Sequence, residues 1–245
     1  MKYHYVWLVW SSTFLVPWLI LFGVYREQRP VIWRVSLVTA LFGATEPLFV
    51  PAYWNPPSLF ELAQRTGFDL ESFLFAFSIG GIGTVIYDTL TGQEMTLISS
   101  VNRASPYHRF HLGALVLPVV TFIPLFFLLL NPIYPVLVSL TLGALASVLC
   151  RPELARKTLA GGLLFFGLYT TFMLGLKLSA PGYISSVWNI RALSWGLIGG
   201  IPLEELAFGF AFGLYWSSVY EHFAWREPSR IGESSSSRNS KSLSM

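Results

Sequence analysis

The chain has 245 residues, of which 53% are hydrophobic, 16% aromatic and only 12% charged. Soluble domains carry about 25% charged residues, so this composition indicates a membrane protein. The formal net charge of +3 does not favour nucleic-acid binding, and the single cysteine, Cys150, excludes a disulfide framework and a cysteine-rich metal site.

Several apolar segments are long enough to cross a bilayer, since a spanning helix needs about 17 to 25 predominantly apolar residues. The first one lacks a small-residue cleavage site, so we interpret it as a retained span and not as a signal peptide. The sequence therefore predicts an all-α, polytopic membrane bundle of seven transmembrane helices. The spans are predicted at about residues 4–24, 31–51, 70–88, 111–130, 133–150, 159–178 and 196–220.

The distribution of basic residues predicts the orientation of these spans. Twelve of the 16 lysines and arginines fall in segments on one side of the seven predicted crossings. Because cytoplasmic loops carry the excess of basic residues, we expect a multi-pass protein of the cell membrane with its N-terminus outside. The C-terminus is then cytoplasmic, and the Ser-rich, polar residues 223–245 are predicted to form a disordered tail.

An internal repeat relates the third span to the last one. Residues 69–88, DLESFLFAFSIGGIGTVIYD, align with residues 202–221, PLEELAFGFAFGLYWSSVYE, at a shift of 133 positions. The alignment predicts two parallel three-helix repeats, residues 1–92 and 132–222, joined by a linker with one span at 93–131. The matched positions are Leu70 with Leu203, Glu71 with Glu204, Phe75 with Phe208, Phe77 with Phe210, Gly80 with Gly213, Tyr87 with Tyr220, acidic Asp88 with acidic Glu221 and, at a shift of 134, Trp54–Asn55 with Trp188–Asn189.

Two carboxyl groups occupy equivalent positions in the repeat, Glu71 and Glu204. A carboxylate in a membrane helix is costly, so such a residue is a functional-site hypothesis. We expect the pair to lie at the same depth, facing one shared cavity, with at least one member protonated near neutral pH. The structural alternative is that both residues form hydrogen bonds between helices.

The remaining acidic residues in the spans are open to two interpretations each. Glu205 either exchanges a proton with Glu204 or faces a polar loop, and Glu46 is either catalytic or located at the membrane interface. Asp88 and Glu221, at the predicted cytoplasmic helix ends, favour interface or structural roles.

No metal site is readable from the spacing of possible ligands. The histidines, expected to be interface anchors, are His4, His108, His111 and His222. No acidic DxxxD cluster that could hold magnesium is present, and the glycines of the spans are expected to allow close helix packing.

The order of these motifs resembles the lycopene cyclase domain of the membrane-embedded carotenoid cyclases. The resemblance rests on an acid-bearing span, a Trp-Asn turn, and then IPLEELAF opening the next span, and it covers nearly all of residues 1–222. Single-chain members look like two small subunits joined by a linker helix, which fits the predicted 3+1+3 organisation.

Functional residues follow from the resemblance, position by position. Pro202, Glu204 and Glu205 fill the second-half motif, whereas the first half keeps Glu71 but has Asp69 and Ser72 in place of the proline and the second acid. Glu46 stands where the family usually has an Asp after a Trp, and Ala180 takes that place in the second half. The implied catalytic residues are Glu204, Glu71, Glu205 and Glu46.

The implied reaction is a redox-neutral ring closure of a linear carotenoid such as lycopene, in which an acid protonates a terminal alkene and a base removes a proton. It needs no cofactor, and the expected partners are the lipid bilayer and other enzymes of the carotenoid pathway. Aromatic faces stabilise a cation by about 0.5 to 2 kcal/mol each. The expected substrate-binding residues are Phe75, Phe77, Phe208, Phe210, Tyr215, Trp54 and Trp188.

Two other functions are compatible with the same residues. A proton-coupled membrane transporter would use Glu71 and Glu204 as a relay, although relays usually lie among polar residues and these helices are rich in phenylalanine. A catalytically inactive, carotenoid-binding membrane partner would tolerate the altered first-half motif.

Overall fold

The computed structural model describes residues 3–98, 111–128 and 131–230, with only the backbone described for 94–97 and 227–230. The chain is a helical bundle, as predicted. In the described part, six helical segments are long and apolar enough to cross a membrane: Val6–Val24, Arg26–Leu48, Leu70–Thr91, His111–Leu128, Ile133–Cys150 and Pro152–Ser179.

These segments correspond to the first six predicted spans. The α-helices are α1 (Val6–Thr13), α2 (Leu15–Val24), α3 (Arg29–Ala40), α4 (Leu62–Thr66), α5 (Leu70–Thr91), α6 (His111–Leu128), α7 (Ile133–Cys150), α8 (Ala155–Ser179), α9 (Tyr183–Val187) and α10 (Leu203–Ala224). Short 3-10 helices are Arg26–Gln28, Leu41–Leu48, Leu59–Glu61, Pro152–Leu154 and Ile190–Ala192. The strands are β1 (Gln93–Leu97), β2 (Leu197–Ile198), β3 (Ile201–Pro202) and β4 (Arg226–Arg230).

Proline accounts for the interruption of the first span. Helices α1 and α2 are separated at Phe14, three residues before Pro17. Proline has no N–H to bond the carbonyl of Thr13, and its ring crowds that carbonyl. The span therefore consists of two consecutive helices.

The last helix begins later than the sequence predicts. Residues 196–202 were expected to be helical, but β2 and β3 pair as an antiparallel hairpin there. Its two turn residues, Gly199 and Gly200, have φ of +56° and +81°, which suits a two-residue hairpin turn and not a helix. Helix α10 follows Pro202, has 22 residues and carries Glu204, Glu205 and Glu221. It is not among the six apolar segments, so the count of seven spans stays a prediction.

The two halves of the chain pack in corresponding ways. Helix α3 packs against α5 in the first half, α8 packs against α10 in the second, and α5 and α10 contact each other between them. Glycine allows the close approach at equivalent positions: a Cβ at Gly80 would lie 2.2 Å from Thr39 Oγ1, and one at Gly213 would lie 2.6 Å from Phe165 Cβ. The linker helix α6 packs mainly on α7.

Two antiparallel pairings join the halves at opposite ends. Trp54 pairs with Trp188, 134 residues further on, and in the β1–β4 pair Met95 lies opposite Pro228, 133 residues further on. Both separations equal the shift of the sequence repeat, so each residue faces its own equivalent, as a pseudo-twofold axis requires. The duplication and its domain boundaries stay predictions, and this register supports them.

Strand β4 also changes the interpretation of the tail. The sequence predicts disorder from residue 223 onward, but α10 continues to Ala224 and Arg226–Arg230 form a strand with β1. Pairing with the segment after α5 gives these polar residues backbone partners that the sequence does not reveal. The rest of the predicted tail, 231–245, lies outside the described residues.

A buried ion cluster connects the repeated acids Asp88 and Glu221. Lys157 Nζ lies 2.6 Å from Asp88 Oδ2 and also binds Glu221 Oε1, and all three side chains are almost fully buried. Of the interface and structural roles considered for Asp88 and Glu221, the structure therefore favours the structural one. The sequence predicts that these acids lie near water, but the structure buries them. Lys157, at the start of α8, supplies a positive charge beside them.

We expect Lys157→Met to destabilise the protein by about 3 to 5 kcal/mol, because it leaves two buried carboxylates without a cation. Thermal unfolding in detergent micelles measures the loss. A triple variant that also carries Asp88→Asn and Glu221→Gln removes the stranded charges and should recover most of the stability. A Lys157→Met single variant as stable as the wild type would contradict an energetically important cluster.

Candidate active site

Five carboxyl groups are buried around the starts of α5 and α10. They are between 0 and 6% exposed, and none forms a salt bridge with a cation in the described chain. A buried charge without a cation is costly, so these groups depend on hydrogen-bond donors or on being neutral. The five residues are Glu46, Asp69, Glu71, Glu204 and Glu205.

Glu204 binds the loop that precedes the β2–β3 hairpin. Its Oε1 accepts hydrogen bonds from the backbone N–H of Ser194 at 3.0 Å, the backbone N–H of Trp195 at 2.9 Å and the Tyr134 hydroxyl at 2.8 Å. Its Oε2 is buried and has no hydrogen-bond partner among the described residues. One oxygen of Glu204 therefore holds the loop, and the other makes no hydrogen bond within the described chain.

Glu205 lies at the junction of the two halves. Its Oε1 accepts from the Tyr53 hydroxyl and, at 2.7 Å, from Trp188 Nε1, and its Oε2 accepts from the Tyr169 hydroxyl. Burial and the adjacent Glu205 raise the pKa of the Tyr53 hydroxyl well above its ordinary value of 10.0, so Tyr53 stays a donor. Both oxygens of Glu205 are thus engaged.

Glu71 repeats the arrangement of Glu204 in the first half. Its Oε1 accepts a hydrogen bond of 2.7 Å from the backbone N–H of Leu59, in the loop before α5, and its Oε2 is buried without a partner in the described chain. No hydrogen bond joins Glu71 to Glu204 within the described residues. The two equivalent acids each bind the loop of their own half, and the shared cavity between them stays a prediction.

The second acid of each half comes from a different helix. In the first half, Ser72 stands in the position of Glu205, and its hydroxyl donates at 3.0 Å to Glu46 Oε2, with the Trp54 indole close by. In the second half, Glu205 accepts from Trp188, and the position of Glu46 is Ala180. Each half therefore places one further carboxyl beside its tryptophan.

Some of the predicted aromatic residues surround these acids and some do not. Trp54 and Trp188 face each other with ring centroids 5.4 Å apart, while Phe75 and Phe208 lie 6.4 and 5.6 Å from the ring of Tyr169. The other three point elsewhere: Phe77 packs on Trp18 and Trp33, Phe210 on Phe166, and Tyr215 donates to Leu115 of the linker helix. The first four therefore lie near the buried acids, and the substrate role of all seven residues stays a prediction.

Sequence reasoning did not single out the tyrosines that hold the acids. Tyr134 and Tyr169 are 70 and 36 residues from the glutamates that they bind, and Tyr53 is 152 residues from Glu205. No local pattern distinguishes them from other aromatic residues of the spans. The only available signal was for Tyr53, which precedes the repeated Trp-Asn pair.

Possible metal ligands lie away from these acids. In the part of the chain that the structure describes, the one group of three is formed by His111, Cys150 and His222 near the other end of α10. Both histidines are buried, so the prediction that they anchor the membrane interface is wrong. His108 lies outside the described residues, and His4 is half-buried.

Asp69 caps the helix that carries Glu71. Its Oδ1 accepts a 2.5 Å hydrogen bond from the backbone N–H of Ser72. Burial raises the pKa of the Asp69 carboxyl from 3.8 to about 6, against the opposing effect of the bonds from Ser72, and the Glu71 carboxyl adds to the increase. The nearest charged groups are carboxyls, so ionising Asp69 weakens the native state.

We expect Asp69→Asn to change the pH dependence of stability. The native state holds the Asp69 proton up to about pH 6 and the unfolded chain releases it near 3.8, so this residue's contribution is lost as the pH rises through that window. Asparagine also caps helices. Relative to the wild type, the variant should gain thermal stability near neutral pH but not at about pH 4. An equal effect at both pH values would contradict the buried, proton-holding Asp69.

Comparison with known proteins addresses the resemblance. Residues 131–223 match the family model described as lycopene cyclase, a segment that contains Tyr134, Tyr169, Trp188, Glu204 and Glu205. The searches of curated proteins and of solved structures found no match. The match covers the second predicted repeat and not the first. The resemblance seen in IPLEELAF is thus confirmed for residues 131–223, the part of the chain that is similar to the lycopene cyclase family.

Proposed function

We propose that the protein is an integral membrane carotenoid cyclase that closes the end group of a linear carotenoid by redox-neutral acid–base chemistry. The observation that carries the proposal is the pair Glu204 and Glu205, buried without a cation beside aromatic rings, within the segment that matches the family. An acid and a base in a dry cavity are what this isomerisation requires.

The two acids suit different steps. Glu204 has a buried oxygen without a partner, which can carry a proton and give it to the terminal alkene carbon. The resulting cation is attacked by the next double bond, so that a ring C–C bond forms. Loss of a proton from a neighbouring carbon then leaves a new double bond, and no net oxidation occurs.

Glu205 suits the stabilisation of the cation and the removal of that proton. Its two oxygens accept from Tyr53, Tyr169 and Trp188, and the indole N–H of Trp188 can only donate. These donors orient the carboxylate of Glu205 and hold it away from the carboxyl group of Glu204. A negative charge next to the reacting carbon lowers the energy of the cationic intermediate.

The first half offers an equivalent pair, Glu71 and Glu46. Glu71 has the free oxygen and Glu46, held by Ser72, stands beside Trp54. This correspondence supports a catalytic contribution by all four predicted acids. It also supports two reaction sites of related geometry, of which the one at Glu205 is built from both halves.

The aromatic surroundings suit a hydrophobic, cationic reaction. Phe75, Phe172 and Phe208 surround the ring of Tyr169, which binds Glu205. Their faces stabilise positive charge by about 0.5 to 2 kcal/mol each, and they exclude water that would otherwise capture the cation. A linear carotenoid such as lycopene would reach such a site from the bilayer, as a step of carotenoid biosynthesis.

We expect the full chain to form ring-bearing carotenoids in bacteria that accumulate lycopene, with pigments separated by chromatography. Glu204→Gln and Glu205→Gln should each lower the cyclised yield by about 100-fold or more, because each removes one partner of the proton transfer. Glutamine keeps the size of the side chain and part of its hydrogen bonding, so the loss reports on the acid.

Glu61→Gln is the matched control, because Glu61 is exposed and forms a surface salt bridge with Arg65. Its pigment yield should equal that of the wild type at equal protein level in the membrane. Lycopene that stays unchanged with the wild-type protein correctly inserted would contradict the cyclase and favour a carotenoid-binding partner. Full activity of both Glu→Gln variants would contradict the roles assigned to the acids.

A further inference from the structure

Three residues that are distant in sequence meet near the end of the last helix. His111 begins α6, Cys150 ends α7, and His222 lies in the last turn of α10. All three side chains are buried, and one ligand atom of each lies within 4.8 Å of the others. This group is about 27 Å along α10 from Glu204, given the rise of an α-helix, and the proposed reaction does not use it.

The hydrogen bonds of the two imidazoles select their tautomers. His111 Nε2 lies 2.8 Å from the carbonyl oxygen of His222, and His222 Nδ1 lies 3.2 Å from the carbonyl oxygen of Ser218. A carbonyl only accepts, so each of these ring nitrogens carries the hydrogen. In the neutral rings, the lone pairs are then on His111 Nδ1 and His222 Nε2.

Of the two nitrogens that carry these lone pairs, the one of His111 lies near the cysteine, and the one of His222 has no hydrogen-bond partner in the described chain. His111 Nδ1 is 3.6 Å from Cys150 Sγ. His222 Nε2 is completely buried and forms no hydrogen bond with any described residue. A buried polar atom of this kind needs an explanation, and a bound ion is one.

We propose that His111 Nδ1, Cys150 Sγ and His222 Nε2 bind a zinc ion. Thiolate and imidazole are ligands that Zn²⁺ prefers, whereas Mg²⁺ and Ca²⁺ bind through oxygen. Zinc–ligand distances of about 2.0 to 2.3 Å place tetrahedral ligand atoms about 3.3 to 3.8 Å apart. Binding therefore has to draw the ligand atoms together from within 4.8 Å and to turn the two imidazoles, which are stacked at an angle of 17°. The carbonyls of His222 and Ser218 are the outer partners that ligating histidines usually have.

Charge balance is compatible with this site. On binding, the Sγ–H bond of Cys150 breaks and its proton goes to solvent, so that the thiolate offsets part of the metal charge. The nearby Arg151 guanidinium is itself paired with the Glu153 carboxylate at 2.8 Å. Three protein ligands leave one position of the tetrahedron for another ligand.

The site gives a specific role to the linker helix. His111 and Ala114 are the fully buried side chains of helix α6, which otherwise packs on α7 with partly buried side chains. A zinc ion would join its first residue to the ends of α7 and α10. The proposed metal would hold these three helix ends together, and it is independent of the carboxyl site.

The test uses the full chain in detergent, purified through a histidine-free tag and freed of metal with a chelator. Titration with Co²⁺ should produce the visible absorption of a tetrahedral site and a near-ultraviolet thiolate-to-cobalt band, both lost when Zn²⁺ displaces the cobalt. Because Cys150 is the only cysteine, that band identifies the ligand. Cys150→Ser should abolish it, and His222→Ala should weaken binding at least about 10-fold.

His4→Ala is the control variant, since His4 lies at the opposite end of the chain and should leave the spectrum unchanged. The wild type gives an independent readout: Zn²⁺ should prevent alkylation of Cys150, and chelator should restore it. A wild-type protein without the near-ultraviolet band, or with the same alkylation rate in zinc and in chelator, would overturn the proposal. A band that persists in Cys150→Ser would also overturn it.

Discussion

Inside an apolar bundle, every polar group has to find its partner within the chain, because lipid supplies none. Helices α5 and α10 meet this constraint differently at their two ends. At one end, Lys157 forms salt bridges with both Asp88 and Glu221. At the other end, none of the buried carboxyls forms a salt bridge within the described residues, and the carboxyls depend on hydroxyl, indole and backbone donors. At each end, buried carboxyl oxygens are left without a hydrogen-bond partner in the described chain. The two ends differ in that only the first pairs its acids with a lysine.

The two halves build the group of buried carboxyls at the starts of α5 and α10 from different residues. Glu46 with Ser72 in one half corresponds to Ala180 with Glu205 in the other, so the extra carboxyl moves from one helix to its neighbour while its tryptophan stays in place. Only Glu205 receives a donor from the opposite half, through Tyr53. The equivalence of the halves is therefore approximate, and the environment of Glu205 depends on both.

Much of the fold could be predicted from hydropathy, because long apolar segments have few alternatives to spanning helices. The six apolar segments and the position of the acids in the repeat follow from local pattern. The start of α10 could not be predicted in this way, because the Gly199–Gly200 turn is short and lies inside an apolar stretch. The lysine at position 157 also looked like an ordinary basic residue after a span.

Long-range partners were the least predictable part of the candidate site. His111 and Cys150 are 39 residues apart, and Tyr53 and Glu205 are 152 apart, so their contacts depend on how the helices pack and not on any local spacing. The acids themselves were recognisable because a carboxyl is unusual in a phenylalanine-rich helix. Tyrosine is not unusual there, and its importance appears only with its hydroxyl contacts.

The two bridges on the pseudo-twofold axis have an evolutionary consequence. Trp54 opposite Trp188, and Met95 opposite Pro228, are contacts that a three-span protein would make with an identical copy of itself. The predicted duplication therefore implies an ancestral homodimer whose fusion into one polypeptide required no new subunit contact. On the predicted duplication, the two copies diverged after fusion, and the additional carboxyl came to be Glu46 in one half and Glu205 in the other.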